Sequence, residues 1–282
     1  MKTICRVAEV NRSSYYAWLK RPPSKREKAN SHLTQKLKTL HGKSRGIYGA
    51  PRLTVQLKAQ GYTCSRNRVA NLMRKAGLFG CAKRKFRAMI TTNSKHNMPI
   101  SPRLFEIEKK EAFPQAPNRV WVGDQTYILT REGWLFLTIV MDIFNRKVVG
   151  YWMSDHLRSE TVWEAMKLAI CQQKDALNAG APILISHSDQ GRQYASDSYR
   201  EKLKLFGIIQ SMSRSGNCYD NAYAESFFHT LKVELVHRHD FSTRAEAQNA
   251  IQEYIDWYNC KRLHSGLGYQ TPFDYERKAL AM

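Results

Sequence analysis

Cysteine is sparse and unpatterned: Cys5, Cys64, Cys81, Cys171, Cys218 and Cys260 are scattered over 282 residues with no C-x-x-C and no repeated spacing. That scatter excludes a disulfide framework and a zinc knuckle, and predicts reduced, mostly packed thiols. Long apolar runs are lacking too. No stretch approaches the roughly 18 consecutive apolar residues of a membrane span, and Met1-Lys2-Thr3-Ile4-Cys5-Arg6 lacks the apolar centre of a secretory signal. The expected compartment is therefore the cytoplasm, with no membrane partner. Acidic residues are scarce in one region only. Residues 1–117 hold 26 Lys and Arg against 5 Asp and Glu, so the whole net charge of +21 belongs to that segment, and residues 118–282 hold 19 of each. Such a concentration of one sign costs self-repulsion that a polyanionic partner relieves, and points to nucleic acid.

What is present fits a folded chain of about two domains, since 43% of the residues are hydrophobic and 11% aromatic. Residues 1–30 read as a short helical segment, with Asn11-Arg12-Ser13-Ser14 as turn and cap and Pro22-Pro23 as its end. Residues 31–80 read as a helix-turn-helix domain. Leu33, Leu37 and Leu40 mark a helix that breaks over 41–46, and helix formation restarts at Pro51. After the link Gly61-Tyr62-Thr63-Cys64, Ser65 caps a helix reaching Lys75, with Gly77 behind it. In that last helix Val69, Leu72, Met73 and Ala76 form the inward stripe. Arg66, Asn67, Arg68, Asn71, Arg74 and Lys75 are left outward as candidate contacts to bases and phosphates. Lys83, Arg84, Lys85 and Arg87 extend the basic track into residues 81–117, whose prolines and polar runs read as linker.

Beyond residue 118 the pattern becomes strand-like. Residues 120–129, 134–144 and 147–153 are rich in Val, Ile, Tyr, Phe and Trp and read as three antiparallel strands. A helix over 159–173, a strand over 182–187, a helix over 196–206, a strand over 208–212 and a long helix over 220–236 follow. The predicted class is α/β: an N-terminal all-α helix-turn-helix region, then a mixed sheet flanked by helices in the ribonuclease H-like order, with a helical extension to residue 282.

Three carboxylates stand where such a sheet and helix converge: Asp124 within the first strand, Asp189 just past the fourth, and Glu225 in the long helix. Hard oxygen ligands suit Mg²⁺ or Mn²⁺, and two ions about 4 Å apart serve in-line phosphodiester displacement. Asp124 interrupts an apolar strand, where an unpaired charge is costly. Glu225 and Lys232 share a helix face two turns apart, and Ala224, Phe227, Leu231 and Leu235 form the anchoring face beside it. Lys232 is a candidate holder of substrate phosphate.

Other chemistries find less support. His237-Arg238-His239 lacks the H-x-x-R spacing of tyrosine recombinases. Gly42-Lys43-Ser44 looks like the tail of a P-loop, but the glycine required five residues earlier is Leu37.

Three blocks, Trp121-Val122-Gly123-Asp124-Gln125-Thr126-Tyr127, His187-Ser188-Asp189-Gln190-Gly191-Arg192-Gln193-Tyr194 and the run from Asp220 to Lys232, resemble the signatures of DDE insertion-sequence transposases with a retroviral-integrase-like core. More narrowly, the chain resembles the second-reading-frame product, OrfB, of the insertion-sequence-three family. The 35 residues between Asp189 and Glu225 match the family's spacing, and Lys232 matches its lysine seven beyond the glutamate. Residues 46–53 match the start of its helix-turn-helix segment. Tyr258 to His264 with Leu267 to Pro272 match its closing motif, which reads as structural, with Arg262 and His264 as possible DNA contacts. Gly123 departs from the threonine common among relatives.

The resemblance implies that Asp124, Asp189 and Glu225 are catalytic ligands of two Mg²⁺ ions, with Mn²⁺ as a substitute. It implies hydrolysis at element ends to give a 3′-hydroxyl, then attack of that hydroxyl on a second phosphodiester. The implied partners are double-stranded DNA, a first-reading-frame protein or a frameshift fusion with it, and further copies of the chain on DNA. The place of action is then the bacterial nucleoid. A leucine zipper is absent from the sequence, so the chain alone is expected to multimerise and to bind ends poorly. Competing readings are a ribonuclease H-like nuclease without joining activity and a DNA-binding regulator without catalysis.

Overall fold

The computed structural model describes residues 2–81, 97–105, 113–178, 183–214 and 221–281. The chain divides into two compact units, Met1–Cys81 and Ala82–Met282.

The first unit is all-helical: α1 (Lys2–Val7), α2 (Arg12–Lys20), α3 (Lys25–Lys43), α4 (Ala50–Ala59) and α5 (Arg66–Lys75). Asn11 caps α2 by accepting from the Ser13 N–H at 2.9 Å. Ser24 and Glu27 form a reciprocal capping box that starts α3, with the Ser24 N–H donating to Glu27 Oε2 at 2.6 Å. That box places the start of α3 before residue 30, so the expected division between 30 and 31 falls inside a single helix and is not a boundary. Leu33, Leu37 and Leu40 are buried as expected, and they meet Leu53 and Leu57 of α4 and Val69, Leu72 and Met73 of α5 in one small core. Ala76 lies only partly inside it, as the C-cap of α5. Ser65 accepts from the Arg68 N–H at 3.2 Å, and Gly77 at φ +67° ends the helix in the left-handed conformation open to glycine.

The second unit is built on a five-stranded sheet of order β3-β2-β1-β4-β5. β1 (Val120–Thr130), β2 (Gly133–Asp142) and β3 (Val148–Ser154) are antiparallel neighbours, and β4 (Ile185–Ser188) and β5 (Ile209–Met212) run parallel to β1. This is the ribonuclease H-like arrangement expected. β4 is shorter than expected and ends one residue later.

Helix α6 (Ser159–Gln172) follows the three-stranded meander and buries Val162, Ala165, Met166 and Ala169 against Val140 and Val149 of the sheet. Gly150 permits that approach, because a Cβ there would stand 2.3 Å from the Ala165 carbonyl oxygen. Two short helices, α7 (Lys174–Asn178) and α8 (Arg192–Ala195), are additions to the expected order; α8 precedes α9 (Asp197–Leu205). The long helix appears as α10 (Ala222–Glu234), followed by a 3-10 turn over Val236–Arg238. The extension supplies α11 (Arg244–Cys260) and α12 (Pro272–Leu280).

Part of the expected linker belongs to the folded core. Ser101 Oγ donates to Gln210 Oε1 at 2.7 Å, the Leu104 N–H donates to Ser211 Oγ at 2.9 Å, and Phe105 is buried edge-on against His187. The thiol expectation also needs correction: Cys5 and Cys64 are buried and none of the described cysteines is in a disulfide, but Cys171 and Cys260 are exposed. Among the described residues no helix is long and apolar enough to cross a membrane.

Candidate active site

Parallel pairing of β1 with β4 brings two of the expected carboxylates together. The register ends at Val122 opposite His187, and two residues further along each strand stand Asp124 and Asp189. Neighbouring strands lie about 4.8 Å apart, so the two acids stand side by side on the central strands of the sheet, next to the carboxyl end of β4. Asp124 Oδ1 accepts from the Gln125 N–H at 2.8 Å, and Asp189 Oδ1 accepts from the Gly191 N–H at 3.0 Å. Each backbone bond fixes one oxygen of its carboxylate.

Glu225 reaches the same place from α10. Asn221, just before that helix, donates from Nδ2 to the Gly123 carbonyl at 3.4 Å, tying the helix start to β1 immediately beside Asp124. Glu225 is exposed, whereas Phe227, Phe228 and Leu231 of the same helix are buried. Phe228, which falls between Glu225 and Lys232 by helical spacing, is part of the core. Lys232 lies further along, its Nζ 4.9 Å from the centre of the Tyr127 ring.

The electrostatics tie these four groups to one site. Loss of solvation, then the charge of Asp189, then that of Glu225 push the Asp124 carboxyl well above the usual carboxylate range, against the Gln125 N–H and Lys232. Glu225 is raised by partial loss of solvation and by Asp189. Lys232 is lowered by desolvation, with Asp124 opposing. Clustered acids that resist ionising in each other's presence are the donor set a divalent cation relieves, and their oxygens suit a hard ion. Among the described residues no three His, Cys, Asp or Glu side chains already stand close enough to hold a metal ion. What the structure brings together is the Asp124–Asp189 pair, with Glu225 within electrostatic reach of both.

Several neighbours escaped the sequence reading. Gln125 donates from Nε2 to Thr138 Oγ1 at 2.8 Å and to Thr161 Oγ1 at 3.0 Å, and its Oε1 accepts from Gln193 at 2.6 Å. This amide network clamps β1, β2, α6 and α8 behind the carboxylates. Tyr194 is buried close to Gly123, and its hydroxyl is raised well above the usual phenol range by burial, Asp124 and Asp189. Gln193 and Tyr194 stand within the motif that contains Asp189, which is the one sequence signal they carry.

The expected DNA contacts divide. Arg66, Asn67, Asn71, Arg74 and Lys75 are exposed on α5. Arg68 is not outward as expected: its Nε and Nη2 donate to Asn30 Oδ1 at 3.0 and 2.8 Å, so it fastens α5 to α3. Lys83, Arg84, Lys85 and Arg87 lie outside the described residues. In the closing motif Arg262 is buried in a two-pronged pair with Glu234, from Nη2 to Oε1 at 2.6 Å and Nε to Oε2 at 2.8 Å, and Tyr254 donates to Glu234 Oε2 at 2.8 Å. His264 is also buried, edge-on to Tyr258.

Comparison with known proteins agrees with this division. Two Integrase core domain family models match residues 114–218 and 206–272, and an HTH-like domain model matches residues 28–86. The chain is 38% identical over 284 residues to the transposase InsF for insertion sequence IS3A of Escherichia coli (strain K12), covering 100% of this chain and 95% of that one. The chain belongs to the insertion-sequence-three family of DDE transposases. It is thereby a polynucleotidyl transferase of DNA transposition. It is also 41% identical over 276 residues to the insertion element IS600 uncharacterized 31 kDa protein of Shigella sonnei, with 98% of each chain covered. Among solved structures, a chain of a simian T-cell lymphotropic virus intasome in complex with PP2A regulatory subunit B56 gamma aligns at a TM-score of 0.48 and 16% identity. That alignment covers 84% of this chain and 73% of that one. The HTH-like match starts within α3, in keeping with a helical domain that begins before residue 31.

Proposed function

We propose that this transposase cleaves DNA at the ends of its element and joins the resulting 3′-hydroxyl to a second phosphodiester, with Asp124, Asp189 and Glu225 as the catalytic carboxylates. The observation that carries the reading is the parallel register of β1 and β4, which pairs Val122 with His187 two residues before Asp124 and Asp189, in the middle of the sheet and beside the start of α10. The three carboxylates would hold Mg²⁺ or Mn²⁺, in the two-ion form that activates an attacking oxygen and stabilises the leaving one. This chain's own residues do the rest. The Gln125 and Gly191 N–H groups orient the two aspartates, Asn221 holds α10 against β1, and the Lys232 ammonium stands ready for a substrate phosphate.

The exposed residues Arg66, Asn67, Asn71, Arg74 and Lys75 of α5 are the proposed DNA contacts, with Lys83, Arg84, Lys85 and Arg87 as a basic continuation. The proposed assembly is an oligomer on DNA, acting with a first-frame protein or as a fusion to it, in the nucleoid. The domain assignment proposed is a helical DNA-binding unit before residue 81 and a catalytic core with its helical extension after residue 118.

The test is incubation of the purified chain, alone and fused to the upstream frame, with labelled DNA carrying the flanking inverted repeats in Mg²⁺ or Mn²⁺. A denaturing gel separates nicked from joined strands. Nicking and joining that disappear in Glu225→Gln are expected. Nicking without joining would favour a nuclease, and silence of the fusion would favour a DNA-binding regulator.

A further inference from the structure

Tyr194 is almost completely enclosed, with 1% of its surface exposed, and its hydroxyl has no hydrogen-bond partner among the described residues. A buried hydroxyl left unpaired is destabilising, and a phenylalanine would fill the same ring space without that penalty. The ring is held firmly. The Tyr194 N–H donates to the Gly191 carbonyl at 2.9 Å, its own carbonyl accepts from Gln210 Nε2 at 2.7 Å, and the ring packs edge-on to Tyr199 with centres 5.8 Å apart.

Its hydroxyl end is directed at β1. A Cβ at Gly123 would lie 3.2 Å from Tyr194 Cε1 and 3.3 Å from its oxygen, so a residue without a side chain directly before Asp124 leaves the phenol its place. A phenol is protonated at neutral pH, so the Tyr194 hydroxyl is available as a donor. Neighbouring Tyr199 is equally enclosed, but its hydroxyl bonds Ser186. Two buried tyrosines in ring contact thus differ in one respect: the unpaired hydroxyl is the one beside the carboxylates.

We propose that the Tyr194 hydroxyl donates a hydrogen bond to a bound water that bridges it to the Asp124–Asp189 pair, and that Tyr194 is a positioning residue for the divalent cation. This rests on the reading of those carboxylates as cation ligands. Partners of metal ligands typically contribute about 10–100-fold to metal affinity.

Mn²⁺ titration of the full chain, followed by loss of the free-ion electron paramagnetic resonance signal, tests the proposal together with melting of the metal-free protein. Tyr194→Phe is expected to weaken Mn²⁺ binding about tenfold or more while the metal-free Tm stays level or rises. Tyr199→Phe is expected to leave Mn²⁺ affinity as it is. Unchanged affinity in Tyr194→Phe would overturn the proposal, and so would a loss of affinity accompanied by a fall in Tm, which marks a packing role. Absence of Mn²⁺ binding by the unaltered chain would overturn the cation reading itself.

Discussion

Residues 1–117 carry 26 basic against 5 acidic side chains, whereas residues 118–282 carry 19 of each, yet the second region holds the more strongly perturbed charges. In the helical unit the basic residues of α5 are mostly exposed, separate and set against solvent. In the sheet unit, two aspartates are brought together by strand register and partly withdrawn from water, with Glu225 of α10 near them. Surplus charge at a surface gives long-range, salt-sensitive attraction for DNA. Local excess within a neutral region gives a site whose charge is unbalanced at one point only, which is what cation binding and phosphodiester chemistry require. Formal charge therefore points to the region proposed to hold DNA and says nothing of where the proposed chemistry lies.

The largest expected effect breaks that contrast from the catalytic side. Asp124→Asn or Glu225→Gln should lower strand cleavage by on the order of 10³-fold or more, by analogy with loss of a group that acts as part of a catalytic unit. Circular dichroism and melting should stay near those of the unaltered chain, and relief of repulsion at Asp124 should if anything raise the Tm. Next in size is a charge pair that serves the fold. Arg262→Ala leaves Glu234 buried and uncompensated, since both side chains are only 6% exposed, and should destabilise the chain by roughly 3–5 kcal/mol in urea unfolding.

A third prediction concerns pH. Asp142 is fully buried and accepts from the Asn118 and Phe144 N–H groups, and burial raises its carboxyl from the ordinary 3.8 to about 7. A native-state value above the unfolded one means that the folded chain binds the extra proton between those limits. The stability contributed is full below about pH 4 and is lost as pH rises through 7. Unfolding measured from pH 4 to 8 should show that downward slope, and Asp142→Asn should flatten it. The smallest effect sharpens the comparison from the DNA side. Arg66→Ala or Arg74→Ala should weaken DNA binding across all sequences and reduce the salt slope of log affinity by about 1 for each phosphate left without its arginine. Arg68→Ala should instead lower the Tm, because its guanidinium is engaged with Asn30.

Much of this organisation is legible in the sequence, and what is not has a common cause. β1, β2 and β3 are marked by runs of β-branched and aromatic residues, and the Ser65 cap and Gly77 stop mark α5, because these signals are local. The start of α3 is equally local: the Ser24–Glu27 box is written in the sequence and is obscured by the polar, highly charged turn that follows it. Docking of residues 101–105 on β5, the inward turn of Arg68 to Asn30 and the Arg262–Glu234 pair depend on partners 28 to 111 residues away, which no periodicity reports.

The candidate site divides in the same way. Asp124, Asp189, Glu225 and Lys232 are readable from motif and spacing; strand register then supplies the reason the two aspartates meet, and the Asn221 bond to β1 brings α10 beside them. The Gln125–Gln193 network and the pairing of Tyr194 with Gly123 are not readable, because each is a contact between segments distant in the chain. Gly123 carries the plainest lesson: its departure from threonine counts for little in the sequence and becomes meaningful only once the phenol is found against it.

The most direct measurement of the central claim compares Glu225→Gln with an Arg66→Ala/Arg74→Ala double variant, each assayed for end binding by gel shift and for strand cleavage at saturating DNA. Glu225→Gln should bind DNA like the unaltered chain and cleave nothing, while the arginine variant should bind weakly yet cleave once saturated. Cleavage retained by Glu225→Gln, or loss of binding and cleavage in equal proportion in both variants, would contradict the separation of DNA holding from chemistry.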